Sequence, residues 1–202
     1  MLGHFDEARA EATACHEQLR EMTGDVAEVM WVLSEIATLA GDDATSAAHL
    51  REMCAILEEQ GRLAHLSTYV VVLGDSLCNL GRFDEAEPLA LRGRNLGAED
   101  DIITQALWRQ VYARVLAHRG EHVGAERLAR EAVALMESSD SLNWQGDALC
   151  DLAEVLQGAG RAQEAAALLE EALERYQAKR NLAMVAQVRQ RMAAEEATTR
   201  LV

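Results

Sequence analysis

Apolar residues recur three and four positions apart through nearly the whole chain. Leu149, Leu152, Ala153 and Leu156 make one such stripe, and Val70, Leu73, Gly74 and Leu77 another. Trp108, Val111, Tyr112, Val115 and Leu116 form a third, and Met30, Leu33, Ile36 and Ala37 a fourth. Each spacing traces one face of an α-helix. Each stripe ends shortly before a glycine, and a second periodic segment follows that glycine. The pattern predicts ten helices, near 4–22, 25–40, 43–60, 64–80, 84–96, 101–119, 122–138, 142–159, 162–178 and 181–195. Their short connectors suit stacked helix pairs. Asp84, Asp101, Ser141 and Asn181 read as N-caps. Pro88 falls near the start of its helix, where proline does least harm.

The glycines are periodic. Gly3, Gly41, Gly81, Gly120 and Gly160 are separated by 38, 40, 39 and 40 residues. The text around them repeats too, as GHFDEARAEA from Gly3, GRFDEAEPLA from Gly81 and GRAQEAAALL from Gly160. Alanine stands five residues after four of the glycines, at Ala8, Ala86, Ala125 and Ala165. The copy at Gly41 diverges and offers Ser46 and then Ala47. A fixed period in this range is the signature of a solenoid of stacked supersecondary units. Each unit is a helix, a glycine turn and a second helix. The glycine supplies a backbone conformation with φ above zero, and the small alanine lets the two helices approach closely.

These residues resemble the tetratricopeptide repeat family. The last unit carries that pattern as Leu152-Ala153, Leu156, Gly160, Ala165, Leu169 and Ala172. The third carries Leu73-Gly74, Leu77, Gly81 and Ala86, and the fourth Tyr112-Ala113, Leu116, Gly120, Ala125, Ala129 and Ala132. The resemblance covers nearly the whole chain and implies an all-α, right-handed α-solenoid of helix-turn-helix hairpins. It departs from the family in its period, about 40 rather than about 34 residues, and in lacking proline at the unit ends. The longer variety is similar to the C-terminal repeats of bacterial LuxR-type regulators and cyclase-associated signalling proteins. It implies one superhelical domain over 1–195, with a capping helix at 181–195 and a frayed tail at 196–202.

Composition narrows the functional classes. The formal net charge is −15, so phosphate backbones and anionic membrane surfaces repel the chain. No apolar run approaches the roughly 18–20 residues that span a bilayer, and the N-terminus lacks the pattern of a signal peptide. A cytoplasmic location is expected. Cys15, Cys54, Cys78 and Cys150 lie far apart on predicted helices and read as small apolar residues, not a disulfide or metal framework. His118 and His122 are four apart, but Gly120 breaks the helix between them. There is no phosphate-binding glycine loop and no nucleophile elbow. No cofactor and no catalytic activity are expected.

Binding is the expected activity. The concave side of such a solenoid is lined by the first helix of each pair. Positions −13, −10, −6 and −3 from each turn glycine are expected there. They are Glu28, Trp31, Glu35 and Thr38, then Thr68, Val71, Asp75 and Cys78. The next two units give Leu107, Gln110, Arg114 and Ala117, then Asp147, Cys150, Glu154 and Gln157. Asn79 and His118 are placed at its edge. Such a mixed, acidic groove suits a basic or apolar peptide, or a domain of a parent chain. Arg114 opposite Asp75 or Glu154 also reads as an internal ion pair. Two other readings stand beside it, a small-molecule effector sensor and a free-standing adaptor.

The ends differ. The first predicted helix, with Phe5, Ala8, Ala12, Cys15, Leu19 and Met22, resembles an interior element, so Met1 reads as an internal methionine of a longer regulator. An unpartnered first helix would also permit a homodimer. The last helix carries Leu182, Val185, Val188 and Met192 on one stripe, with Gln187, Arg189, Gln190 and Arg191 off it, as a cap should.

Overall fold

In a computed structural model, which describes residues 3–22 and 25–199, the chain folds as ten consecutive α-helices. They are α1 Phe5–Met22, α2 Ala27–Leu39, α3 Asp43–Glu59, α4 Leu63–Asn79 and α5 Phe83–Leu96. Then come α6 Ile102–His118, α7 His122–Glu137, α8 Leu142–Gly158, α9 Ala162–Lys179 and α10 Leu182–Thr199. Helices α2–α9 form four antiparallel hairpins that stack as a solenoid. The last helix runs four residues past the boundary expected at 195, and residues 200–202 of the expected tail lie outside the described residues.

The turns are built as the sequence predicts. Gly41, Gly81, Gly120 and Gly160 have φ between 71° and 80°. At Gly81 the N–H of Gly81 donates to the Cys78 carbonyl, and that of Arg82 to Leu77. This pairing satisfies carbonyls that the helix end leaves open. Nothing lies within 4 Å of where a Cβ would stand at these glycines, so backbone conformation alone demands glycine there. The same turn joins α3 to α4 at Gly61 (φ 66°), outside the 40-residue register. It also joins α9 to α10, where Arg180 takes the left-handed conformation (φ 59°).

The capping expectations hold in part. Asp101 accepts from the Thr104 N–H, and Asn181 from the Met184 N–H. Ser141 stands at the N-cap of α8 without a side-chain bond. Asp84 is not a cap: α5 begins one residue earlier, and Asp84 lies in its first turn, where the helix dipole favours it.

Packing follows the repeat. Ala86, Ala125 and Ala165 are fully buried at their hairpin crossings, as are Leu50, Leu66, Leu152 and Leu169 between layers. Gly93 permits an equally close crossing, since a Cβ there would meet Val71 Cγ2 at 2.0 Å. Of α1 only Ala12 is buried; Cys15 is exposed and Met22 keeps 79% of its surface.

Candidate functional site

The inner helices α2, α4, α6, α8 and α10 curve around a single chamber of about 410 Å³. Helix α10 closes the curve. Its Gln187 side chain donates to the main-chain carbonyls of Thr38 and Leu39 at the far end of α2. Arg191 of α10 lines the chamber, and its guanidinium lies 3.5 Å from the Cys150 carbonyl of α8. Val185 and Val188 anchor the helix in the core. The expected groove is therefore bridged by α10 and becomes a partly open chamber.

Counting from the turn glycines selected much of this lining. Trp31, Glu35, Thr38, Asp75, Leu107 and Gln110 face the chamber, as do Arg114, Asp147, Cys150 and Glu154. Seven expected positions fall outside the lining. Glu28 is exposed and pairs with Arg62 at 2.8 Å. Thr68 shares a hydrogen bond with Thr104 of α6 at 2.7 Å, and Val71 packs against Gly93 with no exposed surface. His118 stacks on Phe83 at 4.2 Å between ring centroids, away from the chamber. Cys78, Ala117 and Gln157 also fall outside the lining. The cause is geometric. The count assumes one fixed rotation for every inner helix, whereas the face lined by Val72, Asp75, Ser76 and Asn79 on α4 is turned relative to that lined by Trp31, Ser34, Glu35 and Thr38 on α2.

The same geometry adds residues that the counting missed. Asn79, expected at the groove edge, lines the chamber, and Asp43, Val72, Trp144 and Asp151 join it. Asp151 stands four residues after Asp147, a spacing that shares one helix face. Tyr176 comes from the outer helix α9 and leaves no trace in an inner-helix count. Its ring lies against Gly146, where a Cβ would stand 2.6 Å from Cζ, and its hydroxyl donates to Asp147 at 2.5 Å. Glycine at position 146 is what lets the ring reach the chamber.

Charge concentrates here. Arg114, only 5% exposed, is the hub. Its guanidinium donates to Asp75 at 2.7 Å, to Asn79 at 2.8 Å and to Glu154 at 3.1 Å, tying α4, α6 and α8 together. Asp151 lies 3.8 Å away. Glu35, Asp43, Asp75, Asp147, Asp151 and Glu154 thus face two guanidiniums, Arg114 and Arg191. Burial raises the pKa of Glu35, Asp75 and Asp151, the last two against the pull of Arg114. Burial pushes Asp147 up to about 7, despite the hydrogen bond from Tyr176. The Asp75 side chain keeps 37% of its surface, so water screens part of the raise that burial causes.

Two aromatic residues complete the wall. Trp31 lies 5.1 Å from Tyr69 between ring centroids and presents part of its indole to the chamber, and Trp144 faces it from the start of α8. Trp108 is a core residue whose indole N–H donates to Gln105, with Arg109 over its ring. Among the described residues no three His, Cys, Asp or Glu side chains converge as a metal site. No helix among them is long and apolar enough to cross a membrane.

Comparison with known proteins agrees with the architecture. Residues 103–178 match the profile of the tetratricopeptide repeat family. Among solved structures, BtubC (BKLC) from P. vanneervenii superposes with a TM-score of 0.60 at 16% identity, over 88% of this chain and 75% of that one. A thermophilic tetratricopeptide-repeat protein of Thermus thermophilus superposes with a TM-score of 0.58 at 20% identity, over 97% of this chain and 92% of that one. At these identities the likeness is one of fold. No protein of curated function matches the chain by sequence.

Proposed function

The chain is a tetratricopeptide-repeat solenoid, the architecture of a protein-protein interaction module, and we propose that its inner face captures a helical segment of a partner. The observation that carries this reading is the placement of α10. Its Val185 and Val188 are buried, and its Arg191 turns toward an acidic wall. A helix with an apolar stripe and a basic flank therefore fits this face, and helix-in-groove capture uses the same elements. The partner segment takes the place of α10, and Trp31, Glu35, Asp75, Gln110, Arg114, Asp147 and Glu154 meet it. The Gln187 contacts set how readily α10 gives way.

The setting is proposed to be the bacterial cytoplasm, with this segment as the C-terminal scaffolding part of a larger signalling or transcriptional regulator. Its role is binding, not catalysis, and any DNA contact belongs to another part of the parent. Sequencing the DNA upstream of the Met1 codon tests the parent: an open frame encoding further domains supports it, and an immediate stop codon makes the chain a free adaptor. A labelled peptide of residues 182–194 tests capture. The full chain carrying Val188→Asp, which loosens α10, should bind this peptide more tightly than the unaltered chain. Equal or absent binding by both removes the helix-capture reading.

A second reading has its own observation. A partly open chamber of about 410 Å³ has the size of a small-molecule site. In this reading an effector occupies the chamber and holds α10 in place.

A further inference from the structure

We propose that the chamber is a binding site for a small organic cation, a primary ammonium or guanidinium compound that also carries a hydrogen-bond acceptor. This rests on the second reading above, that the chamber takes a small molecule, and it assigns the ligand's chemistry.

Three observations converge. The first is charge. Six carboxylates face two guanidiniums in the chamber, and Arg114 is already committed to Asp75, Asn79 and Glu154. Glu35 on α2 and Asp147 on α8, two walls of the same chamber, are not among the partners of that hub. An entering cation favours the ionised forms of these carboxyl groups and is held by them in return.

The second is Gln110. Its side chain is 3% exposed and lines the chamber, yet its Nε2 has no hydrogen-bond partner. A buried amide donor without an acceptor costs free energy, and a half-turn of the Gln110 amide would bring its N–H to the chamber, where a ligand carbonyl or hydroxyl recovers that cost. This group gives the ligand its second feature, an acceptor placed against α6.

The third is the wall. Trp31 and Trp144 line the chamber beside these carboxylates. Aromatic faces attract desolvated cations through the ring quadrupole, and Trp does so best. The carboxylates are spread over α2, α3, α4 and α8, and no three of them gather as a metal site. An extended organic cation matches that spread better than a metal ion, which needs its donors around one point.

The test uses the full chain and defined probes. Isothermal titration calorimetry with L-argininamide at about 0.15 M salt, which screens attraction to the acidic exterior, should show saturable one-site binding. Nα-acetyl-L-citrullinamide, in which acetylation removes the α-ammonium and a neutral ureido group replaces the guanidinium, should bind at least tenfold more weakly. The isosteric double variant Glu35→Gln/Asp147→Asn should lose at least tenfold in affinity for L-argininamide, and Gln110→Leu several-fold. Circular dichroism melts check that each variant is folded. Equal binding of the two probes, or full affinity in the folded double variant, overturns the cation assignment. Thermal shifts with neutral or anionic compounds separate the two levels. If one of these stabilises the chain and L-argininamide does not, the chamber remains a small-molecule site and only its charge preference is wrong. If no probe of any charge binds, both fall.

Discussion

Gln187 donates from its side-chain amide to the carbonyl of Thr38 at 3.3 Å, across 149 residues of sequence. Together with a second bond to Leu39 at 3.1 Å, this contact joins the last helix to the first hairpin and makes a chamber of a groove. Gln187→Ala should cost about 1 kcal/mol, the ordinary net value of such bonds. The sharper expectation concerns dynamics. Hydrogen exchange in α10 should accelerate by several-fold while α8 is unchanged. An unaltered rate in α10 means that its packing on α9 suffices to hold it.

Arg114 is the most costly residue to alter. Removing it leaves Asp75, Asp151 and Glu154 without their common partner. Breaking a buried ion network from one side typically costs about 3–5 kcal/mol. Denaturant titration of Arg114→Met should show a loss of this order. Arg114→Lys should recover little, because one ammonium does not reproduce the fork that spans Asp75, Asn79 and Glu154. Adding Asp75→Asn and Glu154→Gln to Arg114→Met should restore part of the loss.

Asp147 sets a pH dependence of definite sign. Its carboxyl titrates near 7 in the fold and near 3.9 in an unfolded chain. A pKa raised on folding means that the folded state holds the proton more tightly. The associated stability is complete below about pH 4 and is lost as pH rises toward 7, amounting to about 4 kcal/mol. The facing groups are Tyr176 on α9, Glu35 on α2, Asp75 on α4, Arg114 on α6, Asp151 on α8 and Arg191 on α10. Glu35, Asp75 and Asp151 are raised in the same direction and add to the effect. Asp147→Asn should flatten thermal stability between pH 5 and pH 8 and leave the variant more stable than the parent at pH 8. An unchanged pH profile would place the titration elsewhere.

Gly146 should tolerate nothing larger. A Cβ there meets the Tyr176 ring at 2.6, 2.7 and 3.0 Å, and a buried aromatic ring yields little. Gly146→Ala should destabilise by roughly 1–3 kcal/mol, the usual cost of overpacking. Pairing it with Tyr176→Leu should cost less than the sum of the two single changes, because both act at one contact.

Arg180 is a position where the chain departs from its own rule. It holds the left-handed conformation that glycine takes at the other tight turns. Arg180→Gly should stabilise by up to about 1 kcal/mol, relief of the Cβ contact outweighing the greater freedom of glycine when unfolded. Arg180→Val should destabilise, since a β-branched residue suits this conformation least. Melting temperatures of the two variants report the difference.

The hairpins were legible in the sequence because their causes are local. A stripe at spacing three and four fixes a helix and its buried side. Glycine in the left-handed conformation ends it, and a small residue at the crossing sets the approach. These rules placed every helix of α1–α9 within about three residues and brought Trp31, Glu35, Asp75, Gln110, Arg114, Asp147 and Glu154 to one face. They misplaced Glu28, Thr68 and Val71, because a position on a helix does not say which neighbour covers it. What only the tertiary structure decided is the closure. A small rotation per hairpin, summed over the solenoid, brings α10 back to α2. That sum turns an exposed groove into a chamber, and it brings in Tyr176 from an outer helix and Asp151 from beside Asp147. Burial at this convergence of helices, with the neighbouring carboxyl groups second to it, raises the carboxylate pKa values, and the same packing leaves the Gln110 Nε2 without a partner.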